Sequence, residues 1–558
     1  MTTPLDSYAR GATEPPLIEQ TIGDCFDAVT ARQPDALALI SRHEGIRLTY
    51  RQLQAQANQL ASALLASGLS PGDRLGIWAL NSAAWLITQL ATAKVGVILV
   101  NLNPAYRMAE VEYALNKVGC KALVVQPRYK TSDYVGMLRE LGGAGGARLP
   151  KLEKIYWIDQ PGDADEPGMT RFSALLASGA ADDPHVAGIQ RTLRNVNPIN
   201  IQFTSGTTGF PKAATLTHRG ILNNGFFVGE AQRFTAQDRL CSPMPLFHCF
   251  GMVMCNLNCL SHGATIVYPD HGFDPVAVLQ AVQDERCTAL YGVPAMFIAE
   301  LQHPRFAQFD LSSLRTGIMS GAPCPIEVMK QVVDKMHLSQ ITIAYGMTET
   351  SPVSCQSSID TPLDRRVSTV GQVQPHLEIK IIDPGSGSTV PRGQQGEFCT
   401  RGYSVMQGYW GEEARTREAI DTEGWMHTGD LATMDAEGYI KIVGRIKDMV
   451  IRGGENVYPR EIEEFLYRHP KIQDVQVVGL PDEKYGEELC AWIIAKAGQT
   501  ITEDEVRAFC QGQIAHYKIP RYISVVSEFP MTASGKIQKF RIREMMAEKL
   551  GLKVAHTA

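Results

Sequence analysis

The sequence lacks long apolar runs, closely spaced cysteine pairs and an excess of basic residues. A membrane-spanning helix needs about 18 consecutive apolar residues, and the best candidate, residues 75–100, is interrupted by Asn81, Gln89 and Lys94. The first ten residues show neither the basic start nor the apolar stretch of a secretory signal. Lys and Arg number 53 against 59 Asp and Glu, a net charge of −6, which argues against a nucleic-acid-binding protein.

The 12 cysteines are scattered without a CxxC pair, so we expect buried, reduced thiols and a cytoplasmic protein. The composition, 44% apolar and 20% charged, is that of a globular protein and excludes extensive disorder. A chain of 558 residues corresponds to three or four units of about 150 residues. It can therefore bury a core without disulfides or structural metals.

Apolar runs alternate with helical patterns along the chain. Thr49 precedes apolar residues at helical spacing, with Gln52 placed for a capping box and Gly68 for the helix end. Runs at 75–80 and 95–100 enclose another helical stretch, which predicts strand–helix–strand units and an α/β fold. Strand candidates at 475–478 and 490–494 lie among charged helical stretches. We predict a large multi-subdomain α/β domain over residues 1–446 and a small α+β domain over 447–558.

A strand pattern at Ile199, Ile201 and Phe203 leads into a segment suited to binding a polyphosphate. The segment runs in the order Thr204, Ser205, Gly206, Thr207, Thr208, Gly209, Phe210, Pro211 and Lys212. Its glycines permit a tight turn, its hydroxyls and backbone amides can bind an anion, and its lysine adds positive charge. It lacks the GK[ST] ending of a Walker A loop and is not a dinucleotide fingerprint. An ordinary polar turn after a strand is the alternative.

Residues 204–218 resemble the phosphate loop of the adenylate-forming enzymes, the superfamily of acyl-CoA synthetases, peptide-synthetase adenylation domains and luciferases. One position departs from that pattern, because Ala213 stands where the family usually has glycine. Four further segments follow in the family's order, so the resemblance extends over essentially the whole chain.

The resemblance implies where the adenine base binds. Small residues at Gly321, Ala322 and Pro323 would let the flat ring approach the backbone. Tyr345 would stack on the ring, with Gly346 next to it, after an apolar run that predicts a strand end. Taken alone, the first segment is a turn and the second is equally well a polar helix start.

The resemblance also assigns phosphate and ribose contacts. Thr348 would contact the α-phosphate, and Glu349 would help to hold Mg²⁺, which commonly uses one or two carboxylates plus phosphate oxygens. Asp430 would accept hydrogen bonds from the ribose hydroxyls, and Arg445 would also reach the ribose.

The resemblance implies that the small domain is mobile, with Lys447 as its hinge, and that Lys536 catalyses adenylation. Gly453 and Gly454 would lie along the pantetheine arm of CoA, although such a pair also suits a tight inter-domain turn. Three basic residues are candidates for the phosphates of CoA: Lys518, Lys539 and Arg541.

His248 bears on the choice of acid. Amino-acid-activating relatives commonly carry an aspartate there, which holds the substrate ammonium, so the imidazole disfavours amino acids. In acyl and aryl relatives this histidine borders the carboxylate and the thiol tunnel, and a structural histidine is the alternative. Candidate walls of an acyl pocket are Phe250, Met252, Met319 and Met347. Methionine suits an alkyl chain, but such clusters are also ordinary core.

Residues 402–410 and 448–459 resemble medium-chain acyl-CoA synthetases of the family-member-2 type. The resemblance implies an ATP-dependent ligase that converts a medium- or long-chain fatty acid into acyl-AMP and then acyl-CoA, with ATP, Mg²⁺ and CoA. The alternatives are an aryl- or terpenoid-acid CoA ligase, a ligase loading a carrier protein, and a non-catalytic nucleotide- or acyl-binding protein. Peripheral membrane contact and a homodimer stay open.

Overall fold

The computed structural model describes residues 5–204, 211–322, 324–452, 455–482, 484–532 and 536–552, with the side chains of Lys447 and Asn456 left aside. Within these ranges no helix combines the length and apolar character needed to cross a bilayer.

Two large, mostly parallel sheets form the main part of the molecule. The first has eight strands, in spatial order Thr170–Arg171, Lys154–Trp157, Ala122–Val125, Arg74–Trp78, Ile98–Asn101, Pro198–Thr204, Lys212–Thr217 and Gly408–Tyr409. The second has nine, in order Gln372–Val373, Val353–Gln356, Gln340–Gly346, Thr316–Ser320, Ala289–Gly292, Arg239–Cys241, Thr265–Tyr268, Leu37–Ser41 and Ile46–Thr49.

Helices lie between and around these sheets. The largest apolar cluster combines side chains from both sheets with those of the helices Tyr50–Ala66, Ala83–Val95 and His218–Glu230. The remaining α-helices are Ile22–Arg32, Met108–Val118, Tyr134–Glu140, Phe172–Ser178, Pro184–Gln190, Asn258–His262, Pro275–Glu285, Pro294–Leu301, Ile326–Lys335, Leu363–Ser368, Glu413–Ala419, Pro459–Leu466, Glu503–Cys510 and Lys539–Leu550. A π-helix spans Phe250–Leu257, and 3₁₀ turns span Phe306–Gln308, Thr348–Thr350, Ile446–Asp448 and His516–Lys518.

A third sheet in the main part of the molecule is antiparallel. Its strands, in order, are Tyr8–Arg10, Leu377–Ile382, Gly396–Gly402, Met426–Met434 and Ile440–Arg445. One face packs on the outer side of the nine-stranded sheet, through residues such as Ile379, Phe398 and Ala432. A two-stranded ribbon pairs Arg128–Tyr129 with Ser132–Asp133.

The last hundred residues form a separate sheet with its own core. Its strands, in order, are Glu455–Val457, Val450–Arg452, Gly486–Ala495 and Ile472–Asp482, and Tyr522–Val525 pairs in parallel with Gly486–Ala495. Val475, Val477 and Ile493 pack against the helix Pro459–Leu466 in this core. A large α/β part with a small α+β part is therefore confirmed, whereas the boundary at residue 447 stays a prediction.

Local signals in the sequence set the helix ends better than the strand ends. Thr49 and Gln52 form the expected reciprocal capping box, and the helix ends at Ala66, just before Gly68 at φ +93°. The prediction of a single strand over residues 95–100 was wrong. Val95 ends a helix, Gly96 takes the left-handed conformation at φ 67°, and the strand starts only at Ile98.

Candidate active site

The candidate site forms at one edge of the nine-stranded sheet. The parallel strands Thr316–Ser320 and Gln340–Gly346 end side by side, with Ser320 paired to Ala344. Gly321 and Ala322 follow the first strand, and Tyr345 and Gly346 are the last residues of the second, at the edge where ligand sites of parallel sheets form. Gly346 has no room for a side chain, because a Cβ there would lie 1.7 Å from the carbonyl oxygen of Pro352. Ala322 is half-buried at the same edge.

Tyr345, Asp430 and Arg445 meet in one corner. The Tyr345 hydroxyl donates to Asp430 Oδ2 at 2.6 Å, and Arg445 Nε lies 2.8 Å from Asp430 Oδ1. Burial, and then Asp430, raise the pKa of Tyr345 well above its usual value, so its hydroxyl remains a donor. The Asp430 carboxylate raises the pKa of Arg445. A carboxylate has about four lone-pair positions, so Asp430 keeps capacity for further donors such as ribose hydroxyls.

A second corner is built around the buried carboxylate of Glu349. Thr204 Oγ1 donates to Glu349 Oε1 at 3.1 Å, and the Tyr409 hydroxyl donates to the same oxygen at 2.9 Å. Thr348 is buried beside it at the start of a 3₁₀ turn. Lys212 Nζ lies 4.9 Å from the centre of the Tyr409 ring. The structure thus brings Thr204, Lys212 and Glu349 together, as predicted.

Tyr409 is a residue of this corner to which the sequence analysis assigned no role. It bonds Glu349 and lies under Lys212, so it links the two predicted charged groups. Its strand pairs with Lys212–Thr217, with Tyr409 opposite Ala214. The segment 402–410 stood out in the sequence, but the distance of 60 residues between Tyr409 and Glu349 hides their contact.

Lys536 reaches the cleft from the small part of the chain. A Cβ placed on Gly321 would lie 3.9 Å from Lys536 Cε and 3.9 Å from Phe250 Cδ1. Although Lys536 keeps solvent exposure, the surrounding protein atoms and then Arg445 lower its pKa, while Glu349, Cys249 and Asp430 oppose that decrease. The lysine, both carboxylates and the arginine therefore act on one another electrostatically.

His248 lies in the same cleft as a neutral imidazole. Burial, and then the Lys536 ammonium, lower the pKa of His248 to about 3. The Phe250 amide donates to His248 Nδ1 at 3.1 Å, and an amide can only donate, so the proton of the neutral ring is on Nε2. Burial raises the pKa of the neighbouring Cys249 to about 12, so that thiol is not a nucleophile at neutral pH.

Three of the four predicted acyl-pocket residues share one apolar cluster. Phe250 and Met252 belong to it, and Met347 packs against it. Met252 is also fixed by polar contacts, since its sulfur accepts from Asn101 Nδ2 at 3.3 Å and Gln202 Nε2 at 3.1 Å. These two amides were not foreseen, because each lies on a strand far away in sequence.

The inclusion of Met319 in that pocket was wrong. Met319 is fully buried in the cluster on the other face of the nine-stranded sheet, whereas the adjacent Ile318 faces the pocket cluster. Successive side chains of a strand point to opposite faces, so one position decides the side.

Several predicted residues lie outside the described ones: Ser205, Gly206, Thr207, Thr208, Gly209, Pro323, Gly453, Gly454 and the side chain of Lys447. The backbone of Lys447 is described and forms the 3₁₀ turn Ile446–Asp448 between the two parts of the chain.

The candidates for the CoA phosphates differ in what they contact. Lys518 Nζ lies 2.6 Å from Glu461, and Lys539 Nζ lies 2.6 Å from Glu463 and 3.3 Å from the Val477 carbonyl oxygen. Arg541 lies against the ring of Phe540 at 5.9 Å. The two lysines thus hold the helix Pro459–Leu466 in place, which weakens their case as phosphate ligands.

Comparisons with known proteins identify the family of this chain. The family model described as "AMP-binding enzyme" matches residues 26–410, and that of the "AMP-binding enzyme C-terminal domain" matches residues 461–536. The Bacillus subtilis protein YngI is 47% identical, covering 96% of this chain and 99% of its own length. The mitochondrial medium-chain acyl-CoA ligase ACSF2 of Macaca fascicularis is 44% identical, covering 98% and 90%.

Solved structures share the fold over nearly the full length. The anthranilate CoA ligase AuaEII in complex with anthranoyl-AMP superimposes with a TM-score of 0.85 at 26% identity, covering 97% of this chain and 99% of that one. ATP-bound MatB from Rhodopseudomonas palustris gives a TM-score of 0.83 at 28% identity, covering 94% and 99%. The chain therefore belongs to the AMP-binding enzyme family, the adenylate-forming superfamily.

Proposed function

We propose that this chain is an ATP-dependent fatty acid–CoA ligase that activates a medium-chain acid as acyl-AMP and transfers the acyl group to CoA. The observation that carries the proposal is the meeting of Lys536 with Glu349, Asp430, Arg445 and His248 in one cleft. One family model covers Glu349 and His248 and the other covers Lys536, whereas Asp430 and Arg445 lie between the two matched ranges. The relatives named as medium-chain acyl-CoA ligases support the class of acid.

In the first half-reaction, a carboxylate oxygen of the acid attacks the α-phosphorus of ATP as the bond to pyrophosphate breaks. Two anions must approach, so the main task of the site is to neutralise charge. Lys536 supplies a cation beside the reacting groups, and Lys212 supplies another at the start of the strand Lys212–Thr217. Asp430 and Arg445 hold the ribose end in a fixed position.

His248 has a defined task in this scheme. Its neutral ring carries the proton on Nε2, so it can donate a hydrogen bond to an oxygen of the acid without adding charge. An imidazolium at this point would repel Lys536, which is one of the two causes that keep the pKa low. His248 is therefore proposed to orient the acid rather than to transfer a proton.

Glu349 fits a magnesium ligand. Both of its described hydrogen bonds go to Oε1, so Oε2 can serve a hard cation that prefers oxygen ligands. When bound, Mg²⁺ would supply positive charge that offsets the charge of the phosphate groups. The donors Thr204 and Tyr409 orient the carboxylate, because both donate hydrogen bonds to its Oε1.

In the second half-reaction, the CoA thiolate attacks the acyl carbonyl and AMP leaves with the electron pair. The cleft that holds Lys536 suits only the first reaction, so the small domain must rotate to admit the thiol. We propose Lys447 as the pivot, since it lies in the 3₁₀ turn between the two parts of the chain. The loop containing Gly453 and Gly454 would then border the pantetheine arm.

The test follows pyrophosphate release and loss of CoA thiol in parallel, with Mg-ATP and acids from acetate to palmitate plus benzoate. We expect coupled signals that peak at a medium alkyl chain length. Pyrophosphate release without thiol loss would indicate that the acyl group is accepted by a carrier protein instead of CoA. A peak on benzoate would favour the aryl-acid alternative, and no signal with any acid would overturn the ligase proposal.

We also propose a reducing compartment, the cytoplasm, for this protein. The support is that all twelve cysteines are buried thiols without a disulfide. Fractionation of the source cells tests this, and recovery in an oxidising compartment would contradict it.

A further inference from the structure

A cluster of metal-binding side chains lies on the antiparallel sheet, outside the residues used above. Glu397, Cys399 and His427 each offer one ligand atom, and these atoms lie within 4.8 Å of one another. Cys399 and His427 are direct cross-strand partners, and Glu397 shares the face of Cys399 two residues earlier. The pairing register of the strands Gly396–Gly402 and Met426–Met434 shifts between Glu397 and Cys399. Such a bulge redirects side chains.

The distances fit a tetrahedral zinc ion. Bonds of about 2.3 Å to sulfur and about 2.0–2.1 Å to nitrogen or oxygen imply about 3.5–3.6 Å between sulfur and nitrogen, and about 3.3–3.4 Å between nitrogen and oxygen. Cys399 Sγ lies 3.6 Å from His427 Nδ1, and Glu397 Oε2 lies 3.2 Å from the same nitrogen. Two of the three ligand separations are therefore close to the required values.

The atoms behind the ligands are also arranged as in metal sites. His427 Nε2, the nitrogen facing away from the cluster, lies 3.5 Å from Asp421 Oδ2. Glu397 Oε1, the oxygen turned away, accepts from the Gly429 amide at 3.0 Å. A carboxylate behind a ligating histidine and a donor behind a ligating carboxylate orient both ligands. These contacts leave His427 Nδ1 beside both Glu397 Oε2 and Cys399 Sγ.

We propose that Glu397, Cys399 and His427 form a binding site for a divalent transition-metal cation of the zinc class, with Asp421 as the supporting carboxylate. The mixed sulfur, nitrogen and oxygen set excludes Mg²⁺ and Ca²⁺, which prefer oxygen alone. As the metal–sulfur bond forms, the thiol proton passes to solvent. Cys399 is fully buried, whereas His427 is 28% exposed, so the cation enters from the histidine side.

The proposed metal site is connected through the backbone to the residues predicted to bind the nucleotide. The Gly429 amide that supports Glu397 immediately precedes Asp430, and Asp430 contacts Tyr345 and Arg445. A bound cation would fix the bulge that carries Asp430. We therefore expect zinc to raise the Tm of the protein, because a ligand that binds only the folded state stabilises it.

The experiment uses the untagged full-length chain, freed of metal with a chelator. Equilibrium dialysis against zinc chloride with elemental analysis should give one equivalent, and cobalt(II) should give a sulfur-to-metal charge-transfer band. Cys399→Ala should lose the band and the zinc-induced rise in Tm. Cys490→Ala, which removes a buried strand cysteine elsewhere, should keep both. Asp421→Asn should keep the band with about 10–100-fold weaker affinity.

Failure of wild-type protein to bind zinc would overturn the proposal and leave His427 as a polar contact of Glu397 and Asp421. Unchanged binding in Cys399→Ala would also overturn it. If that variant does not fold, Glu397→Gln provides the same test, because the amide keeps an oxygen to accept from Gly429 but is a poor metal ligand.

Discussion

Asp430 and Arg445 face each other across the antiparallel strands Met426–Met434 and Ile440–Arg445, with Arg445 Nε 2.8 Å from Asp430 Oδ1. Arg445 is the last residue before the 3₁₀ turn Ile446–Asp448. The pair therefore joins the proposed ribose site to the proposed hinge, so nucleotide binding and movement of the small domain share one contact.

Asp430→Asn should weaken ATP binding. The amide keeps the shape but loses the charge that pairs with Arg445 and accepts ribose hydroxyls. Hydrogen bonds to charged groups contribute about 1.5–3 kcal/mol, so kcat/KM for ATP should fall about tenfold to a hundredfold, mainly through KM. Steady-state kinetics check this. Asp435→Asn is the matched control, because Asp435 also pairs with an arginine, Arg365, but away from the cleft. An unchanged KM would contradict the role.

Tyr409→Phe should impair adenylation at the corner around Glu349 without disturbing the fold. The change removes only the hydroxyl that donates to Glu349 Oε1 at 2.9 Å. We expect a loss of about tenfold in adenylation, partly compensated at high magnesium, because the carboxylate loses one of its orienting donors. Pyrophosphate release as a function of magnesium measures this. Tyr439→Phe serves as control, and an effect independent of magnesium would argue against the assignment of Glu349.

Lys447→Pro should separate the two half-reactions. Proline fixes φ and would restrict rotation about the turn Ile446–Asp448, whereas the cleft with Lys536 is already assembled. Acyl-AMP formation should stay measurable while thioester formation falls strongly. Lys447→Ala, which leaves the backbone free, should retain both. Equal loss of the two half-reactions in Lys447→Pro would rule out a pivot at this residue.

Because of the buried His218, the folded protein should lose stability in mild acid. Its Nδ1 accepts from the Ile22 amide at 3.2 Å, and burial lowers the pKa of His218 to about 4. The unfolded chain takes up a proton near pH 6.5 and the folded chain only near 4. The free energy of unfolding should therefore fall by an amount on the order of 3 kcal/mol as the pH drops through this window. Tm should fall less in His218→Gln, whereas the exposed His185→Gln should behave like wild type.

Much of the site could be predicted from the sequence because its charged residues sit in short, ordered segments. Tyr345 and Arg445 lie at strand ends and Glu349 lies in a 3₁₀ turn, whereas Asp430 lies in the middle of the strand Met426–Met434. The structure brings these four residues and Lys536 to one cleft. The α/β class could be predicted in the same way, because alternating apolar runs and helix caps are also short local patterns.

Other features depend on contacts between distant segments. The link from Tyr409 to Glu349 depends on pairing of its strand with Lys212–Thr217. Met319 was misplaced because its strand is buried on both faces, so the neighbouring apolar residues Ile318 and Met319 do not show from the sequence which face each takes. The polar support of Met252 by Asn101 and Gln202 likewise joins three separate elements.

The most direct test of the central claim separates the two half-reactions in Lys536→Ala. Octanoate-dependent exchange between pyrophosphate and ATP measures adenylation, and conversion of supplied octanoyl-AMP to octanoyl-CoA measures thioester formation. We predict that the variant loses exchange by at least about a hundredfold, as when a charge-stabilising group is removed, and keeps thioester formation. Retained exchange, or loss of both activities, would contradict an adenylation site built around Lys536.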